Sequence, residues 1–307
     1  MEMRALGKSG LRVSALGFGG GPLGYLDTDQ AQATRVLNSL LDGGVTLIDT
    51  AAAYRGSEEL IGEAISHRRD ECVLVSKCGK DTDGTDWSAS GIKRGVERAL
   101  QRLKTDHLDV MLLHTCDLET LKQGEALNAL VAARDAGKCR FIGYSGDNEA
   151  VAFAVEHEAV DVVEMSVNIC DQANIVNVFP NIRRRNIGVL AKRPIANAAW
   201  TDPAVRRGIY VNYAMNYSDR LATMGIQPTD LGFAEPAELA WPEIALRFTL
   251  AHSEVSTAIV GTTDPAKVQR NLEIAAKGPL PEDVVHQLRN AFQLAEAEAG
   301  EDWPSLN

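Results

Sequence analysis

The chain is poor in the features that mark several common protein classes. Its five cysteines, Cys72, Cys78, Cys116, Cys139 and Cys170, are odd in number and form no C-x-x-C pair. That argues against a disulfide framework or a thiolate zinc site and for reduced, buried thiols. None of the six histidines stands in an H-x-H pair. Metal-dependent hydrolase barrels need clustered His and carboxylate ligands, so that reading ranks low and no metal site is expected. No apolar run approaches the ~20 residues of a membrane helix. The opening MEMRALGKSG lacks the apolar stretch of a signal peptide. The expectation is a cytoplasmic protein with no membrane partner. Positive charge is also short, with 31 Lys and Arg against 42 Asp and Glu, a formal net charge of -11. Such a chain repels phosphate backbones, so nucleic acid is not an expected partner, and any phosphate must be held locally.

What is present is an alternation. Short, weakly charged apolar runs fall at residues 16–20, 46–49, 72–76, 110–113, 141–144, 160–165, 188–191 and 257–260. Runs of this kind suit strands buried on both faces of a parallel sheet. Helical periodicity lies between them, at 31–41, 91–103, 121–136 and 236–252. Asp29, Ser57, Ser90 and Asp264, the last followed by Pro265, are expected helix caps. Eight strand–helix units in 307 residues fit a (β/α)8 TIM barrel, with a doubly wound open sheet as the runner-up. Residues 4–14 read as an N-terminal β-hairpin turning at 8–10, and 281–299 as an extra C-terminal helix. A long insert at about 197–235 carries Trp200, Tyr210, Tyr213, Met215 and Tyr217. With no linker or low-complexity tract, residues 1–307 are expected to form a single domain.

Four residues stand out by position. Asp49 ends the second run, Tyr54 follows in the loop, Lys77 ends the third and His114 the fourth. In a parallel barrel these strand ends share one rim, where active sites lie. A phenol with a reference pKa of ~10 is a weak acid, and an ammonium beside it lowers that value. Asp49 would aim Lys77, Tyr54 would protonate a forming alkoxide, and His114 would orient the same oxygen. None of these groups donates hydride, so a cofactor must. Singly, each residue has an ordinary structural explanation; their placement on consecutive strands gives the combination its weight.

The segment DTAAAY from Asp49 to Tyr54, with Lys77 and His114 at these separations, resembles the aldo-keto reductase superfamily. So do LGKSGLRVSALGFGG near the start and IVGTTDPAKVQRNL at 259–272. The resemblance runs from about residue 4 to 276. It implies a (β/α)8 barrel, NADPH-dependent reduction of a small-molecule aldehyde or ketone, and Asp49, Tyr54, Lys77 and His114 as a catalytic tetrad with Tyr54 as proton donor.

The segment 261–271 makes independent sense as a phosphate site. Gly261, Thr262 and Thr263 leave a strand and enter a helix at Asp264-Pro265, and free N–H groups at a helix start favour anions. The resemblance implies that Lys267 meets the 2′-phosphate of NADPH and Asn271 the adenine, while Arg270 stands where the family often has Glu. Two cations favour NADPH over NADH. Gly20 and Gly21, in the first Gly-rich strand end, would let backbone approach the cofactor. The family's nicotinamide pocket is matched imperfectly. Ser145 is kept, Glu164 replaces a common Gln, and Lys192, Arg193 and Pro194 stand where a stacking group is usual. A carboxylate accepts a hydrogen bond from a carboxamide N–H but donates none. The expectation is that Glu164 pairs with Lys192 or Arg193 in place of the usual contact, so that Glu164→Gln strands a cation.

Tyr25, Trp87 and Trp200, with Tyr54 and His114, are the expected substrate contacts. The alternative function is an NADPH-binding regulatory or sensory barrel with slow or incidental turnover.

Overall fold

The computed structural model describes residues 1–233 and 236–306, so the last two positions of the expected insert, 234 and 235, lie outside the described residues. The strands, in chain order, are β1 (Met3–Ala5), β2 (Arg12–Ser14), β3 (Leu16–Gly19), β4 (Leu47–Asp49), β5 (Val73–Cys78), β6 (Lys80–Asp81), β7 (Gly84–Thr85), β8 (Leu108–His114), β9 (Cys139–Ser145), β10 (Val162–Ser166), β11 (Gly188–Lys192) and β12 (Thr257–Val260). Eight of them, β3, β4, β5, β8, β9, β10, β11 and β12, close into a barrel in that order. Every neighbouring pair is parallel, including the closure of β12 on β3. All eight apolar runs are barrel strands, and the open-sheet alternative is excluded by that closure.

The helices packed outside include α1 (Gly21–Tyr25), α2 (Gln30–Asp42), α3 (Ser57–Ile65), α4 (Ala89–Leu103), α5 (Leu118–Gln123), α6 (Glu125–Asp135), α7 (Asn148–Glu156), α8 (Ala173–Asn177) and α9 (Phe179–Arg185). They continue with α10 (Tyr210–Tyr213), α11 (Met215–Met224), α12 (Ala237–Leu250), α13 (Pro265–Ala276) and α14 (Glu282–Ala299). In α4, Ile92, Val96, Ala99 and Leu103 recur every three or four residues and are buried, as an amphipathic stripe requires. Two expected caps are displaced. Gly56, in the left-handed region at φ 74°, starts α3, while the Ser57 hydroxyl is buried and donates to the Gly20 carbonyl at 3.0 Å. Helix α4 is capped by Ser88, whose Oγ accepts from the Gly91 N–H at 3.1 Å, and not by Ser90. Asp29 and Asp264 cap as expected.

One packing rule positions the site. Alternate strand residues point into the barrel. Leu47, Val73, Val75, Val110, Leu112, Val162, Leu190 and Ile259 form one interior cluster, closed at its N-terminal end by Leu6 and Val13 of the β1–β2 hairpin. Two residues further along the same faces come Asp49 after Leu47, Lys77 after Val75, His114 after Leu112, Glu164 after Val162 and Lys192 after Leu190. The layer above an apolar plug is therefore made of ionisable side chains. Among the described residues, no helix is long and apolar enough to cross a membrane.

Candidate active site

The charged layer is tightly bonded. Lys77 is fully buried, and its Nζ donates to Asp49 Oδ1 and Oδ2, both at 2.7 Å, and to the Thr50 carbonyl at 3.0 Å. Those three acceptors match its three N–H bonds. Glu164, 2% exposed, brings Oε2 to 3.1 Å from the same Nζ. Lys77 thus lies between two carboxylates. Burial and the neighbouring Glu164 charge push the Asp49 carboxyl well above the usual carboxylate range, and Lys77 only partly offsets them. The carboxylates outweigh the burial of Lys77 and hold its ammonium charged.

Tyr54 arrives from the loop after β4, with the Lys77 ammonium 5.1 Å from its ring centroid. Its ring meets His114 edge-on at 5.7 Å and Tyr25 at 5.4 Å. The expected lowering of the phenol pKa by Lys77 does not win. Burial raises it well above 10, Lys77 opposes, and Glu164 and Asp49 raise it further. The phenol therefore keeps its proton at neutral pH. Burial, then Lys77, Lys192 and Lys80, hold the His114 pKa well below 6.5, so the imidazole is neutral. Its Nδ1 is buried without a hydrogen-bond partner among the described residues.

These groups stand at the floor of a cavity of about 1160 Å³. Its wall brings together Asp49, Tyr54, His114, Ser145, Glu164, Lys192, Arg193 and Pro194 with Gly21, Tyr25 and Trp200. It continues over Gly261, Thr262, Thr263, Lys267, Arg270 and Asn271 at the start of α13. Two expected contacts fall elsewhere. Gly20 is buried behind the wall, where a Cβ would meet Ser57 Oγ at 2.8 Å and the Asp49 carbonyl at 2.9 Å, so glycine answers a packing need. Trp87 lies over Gly79 and packs on the core instead of facing the cavity. Trp200 does face it and stacks on Trp241 with centroids 6.1 Å apart.

The expected pairing of Glu164 with Lys192 or Arg193 is not what the fold makes. Lys192 pairs with buried Asp147 at 2.9 Å. Asp147 is held by the Ser166 N–H at 2.7 Å and by Asn174 Nδ2 at 2.8 Å. Arg193 donates to Ser166 Oγ, to the Leu306 carbonyl and to the Tyr213 hydroxyl. Adjacent strand ends made all these partners reachable, but the inward period-two layer put Glu164 with Lys77. Glu164→Gln consequently strands no cation.

Sequence reasoning missed Arg206. It lines the cavity from the insert, its Nη2 bonded to the Ala199 and Thr201 carbonyls and to Ser218 Oγ, while its Nε and Nη1 are buried without a partner among the described residues. The adjacent basic pair Arg206-Arg207 was the available signal. Beside it, Ala196, Asn197 and Ala198 all have positive φ, at 44°, 51° and 55°, a left-handed turn that non-glycine residues rarely adopt.

Comparison with known proteins finds several relatives along most of the chain. L-galactose dehydrogenase of Arabidopsis thaliana is 25% identical over 286 residues, covering 89% of this chain and 87% of that protein. A probable voltage-gated potassium channel subunit beta of the same plant is 26% identical, covering 93% and 94%. Among solved structures, the holo form of an aldo-keto reductase from Bacillus halodurans superposes with a TM-score of 0.79 at 28% identity, covering 95% of this chain and 96% of that one. The sequence pattern of the Aldo/keto reductase family matches residues 15–292. With that match over a closed eight-stranded barrel, the chain belongs to the aldo/keto reductase family of oxidoreductases.

Proposed function

We propose that the protein reduces an aldehyde or ketone to an alcohol with NADPH, and that residues 1–307 work as one catalytic domain. The observation that carries this reading is a neutral phenol, Tyr54, beside a neutral imidazole, His114, at the floor of a cavity backed by a buried Asp49–Lys77 pair. The cofactor fits the wall. Arg206 offers two buried donors without partners, and the start of α13 offers Thr262, Thr263, Lys267 and Arg270. Together these would hold phosphates, and Lys267 with Arg270 would favour NADPH over NADH. Ser145, Glu164 and Lys192 would face the nicotinamide, which supplies the hydride when bound.

Tyr54 donates its proton to the carbonyl oxygen as negative charge grows there, a role worth about 10²–10⁴-fold in rate. Lys77 then stabilises the phenolate that remains, and Asp49 keeps Lys77 charged and aimed. His114, neutral, has one N–H to give to the same oxygen and so orients the substrate. Tyr25 and Trp200 would contact the substrate's remaining surface.

The test is oxidation of NADPH, and separately NADH, with a panel of aldehydes and ketones. Turnover that prefers NADPH and falls at least about 100-fold in Tyr54→Phe, with NADPH binding kept, is the expected result. Equal turnover by Tyr54→Phe would refute the assignment of the acid. Similarity to a potassium channel subunit favours a second reading, a cofactor-binding sensory barrel. Tight NADPH binding with no turnover across the panel would support it instead.

A further inference from the structure

A cation stands in the cavity wall where the substrate, and not the cofactor, would lie. Lys80, at the start of β6, lines the cavity with Tyr54 and His114 and is exposed. Its scaffold is fixed. β6 and β7 pair antiparallel, Lys80 opposite Thr85 and Asp81 opposite Gly84. The Asp86 N–H closes the hairpin on the Gly79 carbonyl at 2.8 Å. Trp87 packs away from the cavity, so Lys80 and Asp81 are what the segment after β5 offers to it. Asp81 is already engaged. It pairs with Arg98 at 2.6 Å and accepts from the Asp83 and Gly84 N–H groups at 2.8 and 3.1 Å.

The other carboxylates of the wall are engaged or distant. Asp49 and Glu164 lie on Lys77. Asp264 caps α13 through the Ala266 N–H at 2.9 Å. Glu238, in the first turn of α12, adjoins Leu239, whose carbonyl accepts from Arg270 of α13. Among the cations, Lys192 has Asp147. Arg193, Arg206, Arg207, Lys267 and Arg270 have no carboxylate partner among the described residues, but they rise from the end of β11, the insert and α13, the side that would hold the cofactor. Lys80 instead stands in the connection from β5 to β8, the strands that carry Lys77 and His114. Its charge is felt at the reaction centre: burial, then Lys77, Lys192 and Lys80, keep the His114 imidazole neutral.

We propose that Lys80 is a specificity-determining residue, and that the substrate is an aldehyde or ketone that also bears an oxyanion, a carboxylate or a phosphate, which the Lys80 ammonium binds. This deepens the reductase reading above and rests on it. A strand rises about 3.3 Å per residue, so the Lys80 backbone lies at most about 10 Å from that of Lys77. The anion therefore stands several bonds from the carbonyl that Tyr54 and His114 hold. A charge-assisted bond at an open wall is worth about fivefold in affinity or more, and salt weakens it. The anion keeps its charge throughout the reaction, so the contact is as strong in the ground state as in the transition state. Its loss raises KM and leaves kcat nearly unchanged.

The experiment is steady-state reduction by NADPH of two matched pairs: para-carboxybenzaldehyde against its methyl ester, and glyceraldehyde 3-phosphate against glyceraldehyde. The native protein, Lys80→Gln and Lys93→Gln are compared at low and high salt. Lys93 is exposed on α4 outside the cavity and controls for loss of a surface charge. The readout is the ratio of kcat/KM for the charged and neutral members of a pair, which a merely structural role would leave unmoved because both would fall together. The expected result is a ratio that drops at least about fivefold in Lys80→Gln for at least one pair, through KM, and holds in Lys93→Gln. The pair that responds identifies the anion, and its ratio in the native protein falls with salt. Ratios unchanged in Lys80→Gln for both pairs, or lowered as much in Lys93→Gln, overturn the proposal, while turnover of the neutral members keeps the reductase reading. No NADPH-dependent turnover of any of the four overturns both.

Discussion

Replacing Lys77 by Met should cost about 4 kcal/mol of stability at pH 7, and most of that cost should vanish on mild acidification. Lys77 is the shared counter-ion of Asp49 and Glu164, which are 1% and 2% exposed. Removing one partner of a buried ion pair costs about 3–5 kcal/mol, because the remaining charge is stranded. A second route gives the same size. A carboxyl with a reference pKa of ~3.9 that is forced to stay protonated at pH 7 costs about 4 kcal/mol, and at pH 5 only about 1.5 kcal/mol. The sign follows from linkage. In the folded state Asp49 already has a raised pKa, and loss of Lys77 removes one of the few influences lowering it. The folded variant then holds a proton that the unfolded chain releases, so stability relative to the native protein rises as pH falls from 7 toward 5. Urea unfolding of both proteins, followed by circular dichroism across that range, measures the difference. By contrast, Glu164→Gln leaves all three Lys77 N–H groups bonded and should cost less than about 1 kcal/mol. Adding it to Lys77→Met should restore part of the lost stability at pH 7. A Lys77→Met cost that stays constant with pH, or a double variant weaker than the single one, would refute this account of the layer.

Further outcomes are expected elsewhere in the molecule. Joint replacement of Lys267 and Arg270 by Ala should weaken NADPH at least about tenfold and NADH little, since only NADPH carries the extra phosphate; equal weakening of both in direct titrations would refute the phosphate assignment. Trp200→Ala should change kcat/KM for a good substrate about tenfold while Trp87→Ala leaves it within about twofold, because only Trp200 faces the cavity; matching losses would count against that geometry. His252, packed against Phe179 and Phe248, has its pKa lowered mainly by burial. Its contribution is complete above the unfolded value of ~6.5 and is lost as pH falls, because the unfolded chain binds a proton that the folded one resists. The Tm advantage of the native protein over His252→Gln should accordingly shrink between pH 7.5 and 5.5, and an advantage that grows there would overturn the assignment.

The comparison between sequence and structure divides along a physical line. Strand and helix identity is local. Apolar runs such as 110–113 and the three- and four-residue spacing of 91–103 carry their burial pattern in themselves, and both elements formed where that pattern lies. Caps are less secure, because a serine's local options are settled by what else is near. Ser57 gave its hydroxyl to Gly20, and Ser88 outcompeted Ser90 for the start of α4.

The sequence by itself determined which ionisable residues end the barrel strands, and hence much of the chemistry available there: an acid, a lysine and an imidazole, with the phenol of Tyr54 following in the loop after β4. Strand parity, also readable from sequence, places Asp49, Lys77, His114, Glu164 and Lys192 on inward faces. Only the tertiary structure decided who pairs with whom. Glu164 reaches Lys77 across the barrel interior because β5 and β10 face one another through the core, whereas Lys192 finds Asp147 just beyond the end of β9. Only the fold, too, turned Trp87 away from the cavity, brought Arg206 into its wall, and set the Tyr54 pKa by burial against the pull of Lys77. Those outcomes depend on distances between segments far apart in the chain and on how much water is excluded among them, quantities that no local pattern of residues encodes.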